Sequence, residues 1–149
     1  MTDTLATGGC QCGAVRYRIT APFENPHICH CRMCQKAFGN YFAALVGTKK
    51  TALHWTRGEP AFFRSSEIVP RGFCRDCGTP LFMLEDGHGV IEIAIGSLDD
   101  PNAIAPESVI YLKDAVAWDF FDPALPKFDG MSPRRHHVAR PSEDRPDGQ

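Results

Sequence analysis

Seven cysteines in three short clusters are the residues of this chain best suited to metal chemistry. The clusters are Cys10-Gln11-Cys12, Cys29-His30-Cys31-Arg32-Met33-Cys34 and Cys74-Arg75-Asp76-Cys77. Cysteines separated by one or two residues bring their thiolates to a single metal ion, because the loop between them folds into a compact turn. Structural zinc takes four protein ligands, whereas reactive zinc takes three and keeps one position open. Seven cysteines therefore predict two zinc ions per chain, one closed and one open.

The first and last clusters each have a glycine directly after their second cysteine, Gly13 and Gly78. In a zinc knuckle the amide N–H groups point at the sulfurs, and glycine relieves the left-handed backbone strain that this requires. We therefore predict a structural zinc with four ligands: Cys10, Cys12, Cys74 and Cys77. The alternative, four ordinary buried cysteines, explains neither the paired spacing nor the two glycines.

The middle cluster supplies three thiolates, from Cys29, Cys31 and Cys34, to the second zinc. Its fourth position would hold water, a substrate thiol or a histidine, and the candidate histidines are His27, His30 and His54. His30 lies between two ligands, so we expect its ring to point away from the metal. A histidine ligand would make the site purely structural, and its absence would leave an open site. A metal-free redox trio of thiols is a third interpretation.

An open zinc with three thiolates suits thiol chemistry better than hydrolysis. Three thiolates and Zn²⁺ carry a net charge of about −1, which makes the metal a weaker Lewis acid than a histidine-bound zinc. Zinc accepts an incoming thiol and holds it as a thiolate near neutral pH. An adjacent aldehyde would then be attacked to give a hemithioacetal, and the reverse reaction would cleave the same carbon–sulfur bond. The His-x-Glu and Pro-Cys-x-x-Cys pattern of zinc deaminases is absent from the sequence.

Strand-like segments dominate the chain, so the sequence predicts a mainly β fold. Alternating or β-branched and aromatic residues indicate seven strands, at 14–19, 41–46, 52–57, 61–64, 81–84, 90–95 and 109–112. One short helix is predicted at 33–38, where Gly39 would end it. These elements must position the three cysteine clusters.

Composition and charge narrow the class of protein. The chain has 149 residues, which suits one domain, and its net charge of −2 argues against a nucleic-acid partner. Its apolar runs are too short to span a membrane, and its first residues lack the features of a signal peptide. We therefore expect a cytoplasmic protein, in a reducing compartment where clustered cysteines bind metal.

Three motifs identify a resemblance to a known family. They are Gly8-Gly9-Cys10-Gln11-Cys12-Gly13-Ala14-Val15-Arg16-Tyr17, the run from Cys29 to Gly39, and Arg71-Gly72-Phe73-Cys74-Arg75-Asp76-Cys77-Gly78-Thr79-Pro80-Leu81. In this order they closely resemble the glutathione-dependent formaldehyde-activating enzyme (GFA) family, which includes the centromere protein V domain. The resemblance covers about residues 8–130, which we take as a GFA-type zinc domain. Residues 1–7 would be a flexible N-terminus, and residues 131–149, which are polar and rich in proline, a disordered tail.

The resemblance implies a β-tent fold of two packed antiparallel sheets stabilised by zinc. It also implies the same division of the cysteines, with structural zinc at Cys10, Cys12, Cys74 and Cys77, and catalytic zinc at Cys29, Cys31 and Cys34. The family's name implies that glutathione adds to formaldehyde, a carbon–sulfur lyase reaction of the S-(hydroxymethyl)glutathione synthase type.

Glutathione carries two carboxylates, so cations near the open zinc are candidates for contacting it. By their proximity to the motifs these are Arg32, Lys36, Arg64 and Arg71. Two alternatives to an enzyme stay open: a non-enzymatic zinc module that binds a protein partner, and a thiol or metal sensor. A concave pocket over the trio would favour the enzyme, and a large exposed apolar patch would favour the partner. The sequence does not determine the oligomeric state, and a homo-oligomer stays possible.

Overall fold

A computed structural model describes residues 3–118 and 124–130 of the chain. The strands in these ranges are β1 Ala6–Gly9, β2 Arg16–Ile19, β3 Glu24–Cys29, β4 Ala43–Lys49, β5 Leu53–Arg57, β6 Ala61–Arg64, β7 Pro70–Phe73, β8 Pro80–Leu84, β9 Val90–Ala94 and β10 Ser108–Ile110. The α-helix is α1, Arg32–Phe38, and 3₁₀ turns lie at Lys50–Ala52, Ile95–Ser97, Pro101–Ala103 and Leu112–Asp114. None of the helices described is long and apolar enough to cross a membrane.

The strands form two sheets, which confirms the predicted mainly β fold. A three-stranded sheet has the order β1-β2-β5, and a seven-stranded sheet has the order β10-β3-β4-β9-β8-β7-β6. Neighbouring strands are antiparallel except β10, which pairs with β3 in parallel. The expectation of purely antiparallel sheets therefore fails at one edge. The chain between β9 and β10 crosses β4 and β3 to reach that edge, so β10 runs in the direction of β3.

The main core lies between the two sheets. In β2, the buried residues Tyr17 and Ile19 alternate with the half-buried Arg16 and Arg18, as expected of a strand with one face on a core. From the larger sheet the core takes Val46, Leu81, Ile91 and Ile93, among others. The buried hydroxyl of Tyr17 forms a hydrogen bond with Ser97 Oγ, 2.7 Å away. Burial of these side chains holds the small sheet against one face of the large one.

The opposite face of the large sheet carries a second apolar cluster and the helix. This cluster includes Cys29, Cys34, Leu45 and Ile110, with Met83 and Tyr111 packed against it. Helix α1 ends at Gly39, whose φ of 58° lies in the left-handed region. That ending confirms the predicted C-terminus, because glycine adopts this conformation without the steric cost that other residues meet.

Each of the seven predicted strands overlaps an observed one, and three strands were not predicted. These are β1, β3 and β7, whose sequences contain glycine, proline, cysteine or histidine. β1 begins at Ala6, two residues before the expected start of the zinc domain at residue 8. The predicted disordered tail, residues 131–149, lies outside the described residues.

Candidate metal centres and the adjoining cavity

The first candidate centre joins the two outer cysteine clusters. The sulfurs of Cys10, Cys12, Cys74 and Cys77 all lie within 4.8 Å of one another. The Sγ atoms of Cys10 and Cys12 are 3.6 Å apart, and those of Cys12 and Cys74 are 3.8 Å apart. Tetrahedral zinc with Zn–S bonds of about 2.3 Å requires sulfur separations of about 3.8 Å. The four thiols therefore fit a zinc ion, and we call them the outer centre.

Backbone turns and hydrogen bonds hold the outer centre in this shape. Gly13 and Gly78 both have a φ of 78°, and their N–H groups donate to the carbonyls of Cys10 and Cys74. The N–H of Val15 donates to Cys10 Sγ at 3.2 Å. These contacts match the predicted knuckle, in which glycine takes the left-handed conformation and amides face the sulfurs.

Thr79 ties the two halves of the outer centre together. Its hydroxyl accepts a hydrogen bond from the N–H of Gln11 at 3.1 Å and lies 3.2 Å from Cys77 Sγ. Hydrogen bonds from the Thr79 hydroxyl and backbone lower the pKa of the Cys77 thiol to about 6. These hydrogen bonds favour the thiolate, which is the state that a zinc ligand needs.

The second candidate centre is the trio of Cys29, Cys31 and Cys34. Cys29 ends β3, Cys31 caps α1, and Cys34 lies in the first turn of the helix, so one strand–helix junction brings all three sulfurs within 4.8 Å. The N–H of Cys34 donates to Cys31 Sγ at 3.4 Å. Hydrogen bonds from the Cys29 and Cys34 thiols, aided by the charge of Arg71, lower the pKa of Cys31. Three converging thiols suit zinc.

No histidine of residues 3–118 and 124–130 joins the trio within 4.8 Å. His30 is fully buried, and its ring packs against Tyr41 and Phe42 with centroid distances of 6.4 and 6.2 Å. His54 lies in the small sheet, where its Nε2 is 3.2 Å from Thr20 Oγ1. His27 lies on β3, where its Nε2 is 3.6 Å from Glu92 Oε2. The geometry thus supplies three cysteine ligands and leaves the fourth position to another group.

Arg71 is the candidate cation that the fold brings to the trio. The side chain is buried, its Nη2 donates to Cys34 Sγ at 3.4 Å, and its Nε donates to Ser65 Oγ at 2.9 Å. Its Nη1 is buried without a hydrogen-bond partner in the described part of the chain. Thiolates at the trio would supply the negative charge that a guanidinium in the interior requires.

The other three candidate cations do not line the space around the trio. Arg32 and Lys36 are exposed on α1 and line a shallow groove of about 430 Å³, together with Met33 and Phe63. Arg64 is exposed and forms an ion pair with Asp86. The groove shares Met33 with the space around the trio, so Arg32 and Lys36 border an approach to it, whereas Arg64 does not line that space.

A cavity of about 230 Å³ lies beside the trio, on the face of the large sheet that carries α1. Its wall is largely apolar, with Met33, Leu45, Val69, Met83, Val90 and Ile110, and it includes the three cysteines and Arg71. The polar groups His27, Glu85, His88 and Glu92 also line it. An apolar cavity with a few convergent polar groups is the usual form of a small-molecule site.

Strand alternation explains how Glu92 reaches this cavity, which the sequence reasoning missed. Ile91 and Ile93 point into the core between the sheets, so Glu92 between them points to the opposite face. A charged residue inside the apolar run Val90-Ile91-Glu92-Ile93-Ala94 was the signal that could have found it. Such a residue is rarely buried without a structural or chemical role.

Comparison with known proteins assigns the chain to a family. The family model for the glutathione-dependent formaldehyde-activating enzyme matches residues 5–114. The chain belongs to this family. A protein of Halomonas elongata described as "Putative glutathione-dependent formaldehyde-activating enzyme" is 28% identical over 116 residues, which are 72% of this chain and 74% of that protein. The family assignment confirms the resemblance carried by the three motifs.

A solved structure has the same fold. The crystal structure of a Rhodobacter sphaeroides protein superposes with a TM-score of 0.55, covering 82% of this chain and 98% of that one. Their sequences are 17% identical, so the likeness concerns the fold alone.

Proposed function

We propose that the protein is a zinc-dependent carbon–sulfur lyase of the S-(hydroxymethyl)glutathione synthase type. It would add glutathione, or a similar thiol, to formaldehyde or another small aldehyde, and it would catalyse the reverse reaction. The observation that carries this proposal is the trio of Cys29, Cys31 and Cys34, which forms part of a cavity wall and has no fourth cysteine or histidine within 4.8 Å among residues 3–118 and 124–130. The family's name supports glutathione and formaldehyde as the reactants.

Two zinc ions per chain would serve different purposes in this proposal. Zinc at the outer centre would be structural, because four cysteines complete its coordination. Zinc at the trio would supply a Lewis acid that favours the thiolate form of the substrate. Cys29, Cys31 and Cys34 would hold that metal, and Arg71 would balance the net negative charge of the centre through Cys34. With Arg71 included, the centre is close to neutral before a thiolate arrives.

The size of the cavity limits which part of the thiol substrate enters. About 230 Å³ lies below the range of about 300–1,000 Å³ of pockets that enclose a drug-sized ligand. A thiol group and a small aldehyde fit such a space, and the rest of a tripeptide would lie outside it. The adjoining groove offers Arg32 and Lys36 to the carboxylates of glutathione. A reaction of this kind suits a protein of the cytoplasm, where glutathione is abundant and thiols stay reduced.

Replacing zinc by cobalt gives a direct test, because cobalt bound by thiolates absorbs visible light. The protein should bind about two metal ions per chain, and glutathione should change the thiolate-to-cobalt band. Cys31→Ser is the matched control, since it should lose one metal and the response to glutathione. An unchanged band in the cobalt protein would rule out the thiol substrate.

A partner-binding zinc module is the second candidate, and exposed aromatic residues favour it. Phe62 is 67% exposed and Phe63 46% exposed on the edge strand β6. Successive residues of a strand point to opposite faces, so these two rings do not form one continuous patch. The cavity at the trio therefore supports the enzyme more strongly. A cobalt band that ignores glutathione, together with stable metal at both centres, would favour the module.

A further inference from the structure

Glu92 is the buried carboxylate of the cavity that contains the trio. It is 9% exposed, and its carboxylate accepts no hydrogen bond from the other described residues. Its ionisable neighbour within 4 Å is His27, whose Nε2 lies 3.6 Å from Glu92 Oε2. A buried carboxylate with open acceptor positions can receive a hydrogen bond from a donor that enters the cavity. The cavity is where a proton donor would meet it.

The local backbone around His27 is shaped to hold it against Glu92. The pairing of β3 with β4 shifts register between Glu24 and His27, which marks a β-bulge. Within the bulge, Asn25 has a φ of 48°, in the left-handed region that few residues other than glycine adopt. Its carbonyl accepts a hydrogen bond from His27 Nδ1 at 2.8 Å, which turns Nε2 toward Glu92. Bulges of this kind redirect side chains near functional sites.

Arg71 and Glu92 both line the cavity, and their side chains form no ion pair with each other. Arg71 pairs with Met83 across β7 and β8, and Met83 pairs with Glu92 across β8 and β9. Their backbones are therefore two strand spacings apart, about 10 Å. Glu85 and His88 also line the cavity, but both are exposed at its rim. Glu92 is thus the carboxylate that lies deep in the cavity, and the thiols of the trio share its wall.

We propose that Glu92 is the general base and general acid of the thiol–aldehyde reaction, an assignment that rests on the proposed function. The Glu92 carboxylate takes the S–H proton of the incoming thiol. The sulfur lone pair then forms the C–S bond, and the π electrons of the C=O bond move to oxygen. That oxygen takes the proton back from Glu92 and becomes the hydroxyl of the hemithioacetal. No oxidant or reductant is needed, and the reverse sequence releases thiol and aldehyde. His27 is the positioning residue that orients the carboxylate.

The fate of the thiol proton tests this role separately from turnover. Calorimetry of glutathione binding to the zinc-loaded protein, in two buffers with different ionisation enthalpies, counts the protons released to solution. The wild-type protein should release close to none, because Glu92 retains the proton. Glu92→Gln should release about one per glutathione bound. The matched control Glu59→Gln changes an exposed carboxylate that does not line the cavity and should behave as the wild type does.

Turnover gives a second readout, measured by NMR exchange between free and glutathione-bound formaldehyde. Glu92→Gln should slow the exchange about 100-fold or more, since general acid–base catalysis contributes about 10²–10⁴-fold. Glu92→Asp keeps a carboxylate and should retain the proton, which separates loss of the base from loss of the fold. Equal proton release by wild type and Glu92→Gln would overturn the role of Glu92 while leaving the reaction in place. No glutathione binding by the wild type would instead refute the proposed function, and this role with it.

Discussion

Replacing Arg71 by methionine should weaken zinc binding at the trio and leave the outer centre unchanged. When zinc enters the trio, three thiol protons leave and one Zn²⁺ arrives, so the charge of the centre falls by about one unit. The guanidinium lies 3.4 Å from Cys34 Sγ and stabilises that negative state over the neutral, metal-free thiols. Arg71→Met removes the stabilisation but keeps an unbranched side chain in the same buried position.

The size of the effect follows from the type of contact. A hydrogen bond to a charged group contributes about 1.5–3 kcal/mol. At about 1.4 kcal/mol for each factor of ten, the Kd of the trio for zinc should rise about 10- to 150-fold. The outer centre is on the opposite side of the large sheet, in contact with the core between the sheets, so its affinity should stay within a factor of about three.

Competition with a chromophoric zinc chelator measures both affinities in one titration. Arg64→Met is the matched control, because Arg64 is exposed and paired with Asp86. It should leave both sites unchanged. A trio that binds zinc as tightly in Arg71→Met as in the wild type would refute the charge argument. Equal weakening of both sites would mean that the variant damages the fold instead.

Two further predictions concern stability. Cys77→Ser should lower the melting midpoint by about 10 °C, because it opens a cross-link between distant segments of the chain, whereas Cys31→Ser should lose one zinc and shift the midpoint by less than about 3 °C. Calorimetry together with metal analysis measures both effects. A larger shift for Cys31→Ser than for Cys77→Ser would contradict the assignment of the two centres. Burial raises the pKa of Tyr17, so its stabilising contribution is present below pH about 10 and lost as pH rises through the folded-state pKa. Tyr17→Phe should lower the free energy of unfolding by about 1 kcal/mol at pH 7. It should also reduce the stability that is lost between pH 7 and 10.5, which urea unfolding at the two pH values measures. A pH dependence equal to that of the wild type would show that Tyr17 is not the source of the alkaline loss of stability.

The sequence was sufficient to group the seven cysteines into a set of four and a set of three, because the spacing of potential ligands is a local property. Cys10 and Cys12 are separated by one residue, so they lie in the same turn. The glycine after each outer pair predicted the left-handed backbone that the structure shows at Gly13 and Gly78. The strands with regular alternation, such as β2, were predictable for the same reason. β3 was missed because Asn25, a proline and a histidine interrupt its pattern, and the bulge that accommodates them depends on pairing with β4.

The cavity could not be predicted, because residues far apart in the chain form it. Arg71, Met83 and Glu92 become neighbours only when β7, β8 and β9 align in register. Sequence proximity to a motif ranked Arg32, Lys36, Arg64 and Arg71 equally, and the fold separates the one that contacts a cysteine from the three that do not. Glu92 lies far from every cysteine motif in sequence, so proximity gave it no weight.

The outer centre also determines when the chain can become cross-linked. Cys12 and Cys74 are 62 residues apart, and their sulfurs meet at 3.8 Å. A link that closes a loop of this length lowers the entropy of the unfolded chain and contributes about 4 kcal/mol to stability in the loop-closure model. During synthesis the thiols of Cys10 and Cys12 stay uncoordinated and reactive until Cys74 and Cys77 have been made. Metal capture at this centre would therefore be a late folding step, and a reducing environment would protect the thiols in the interval.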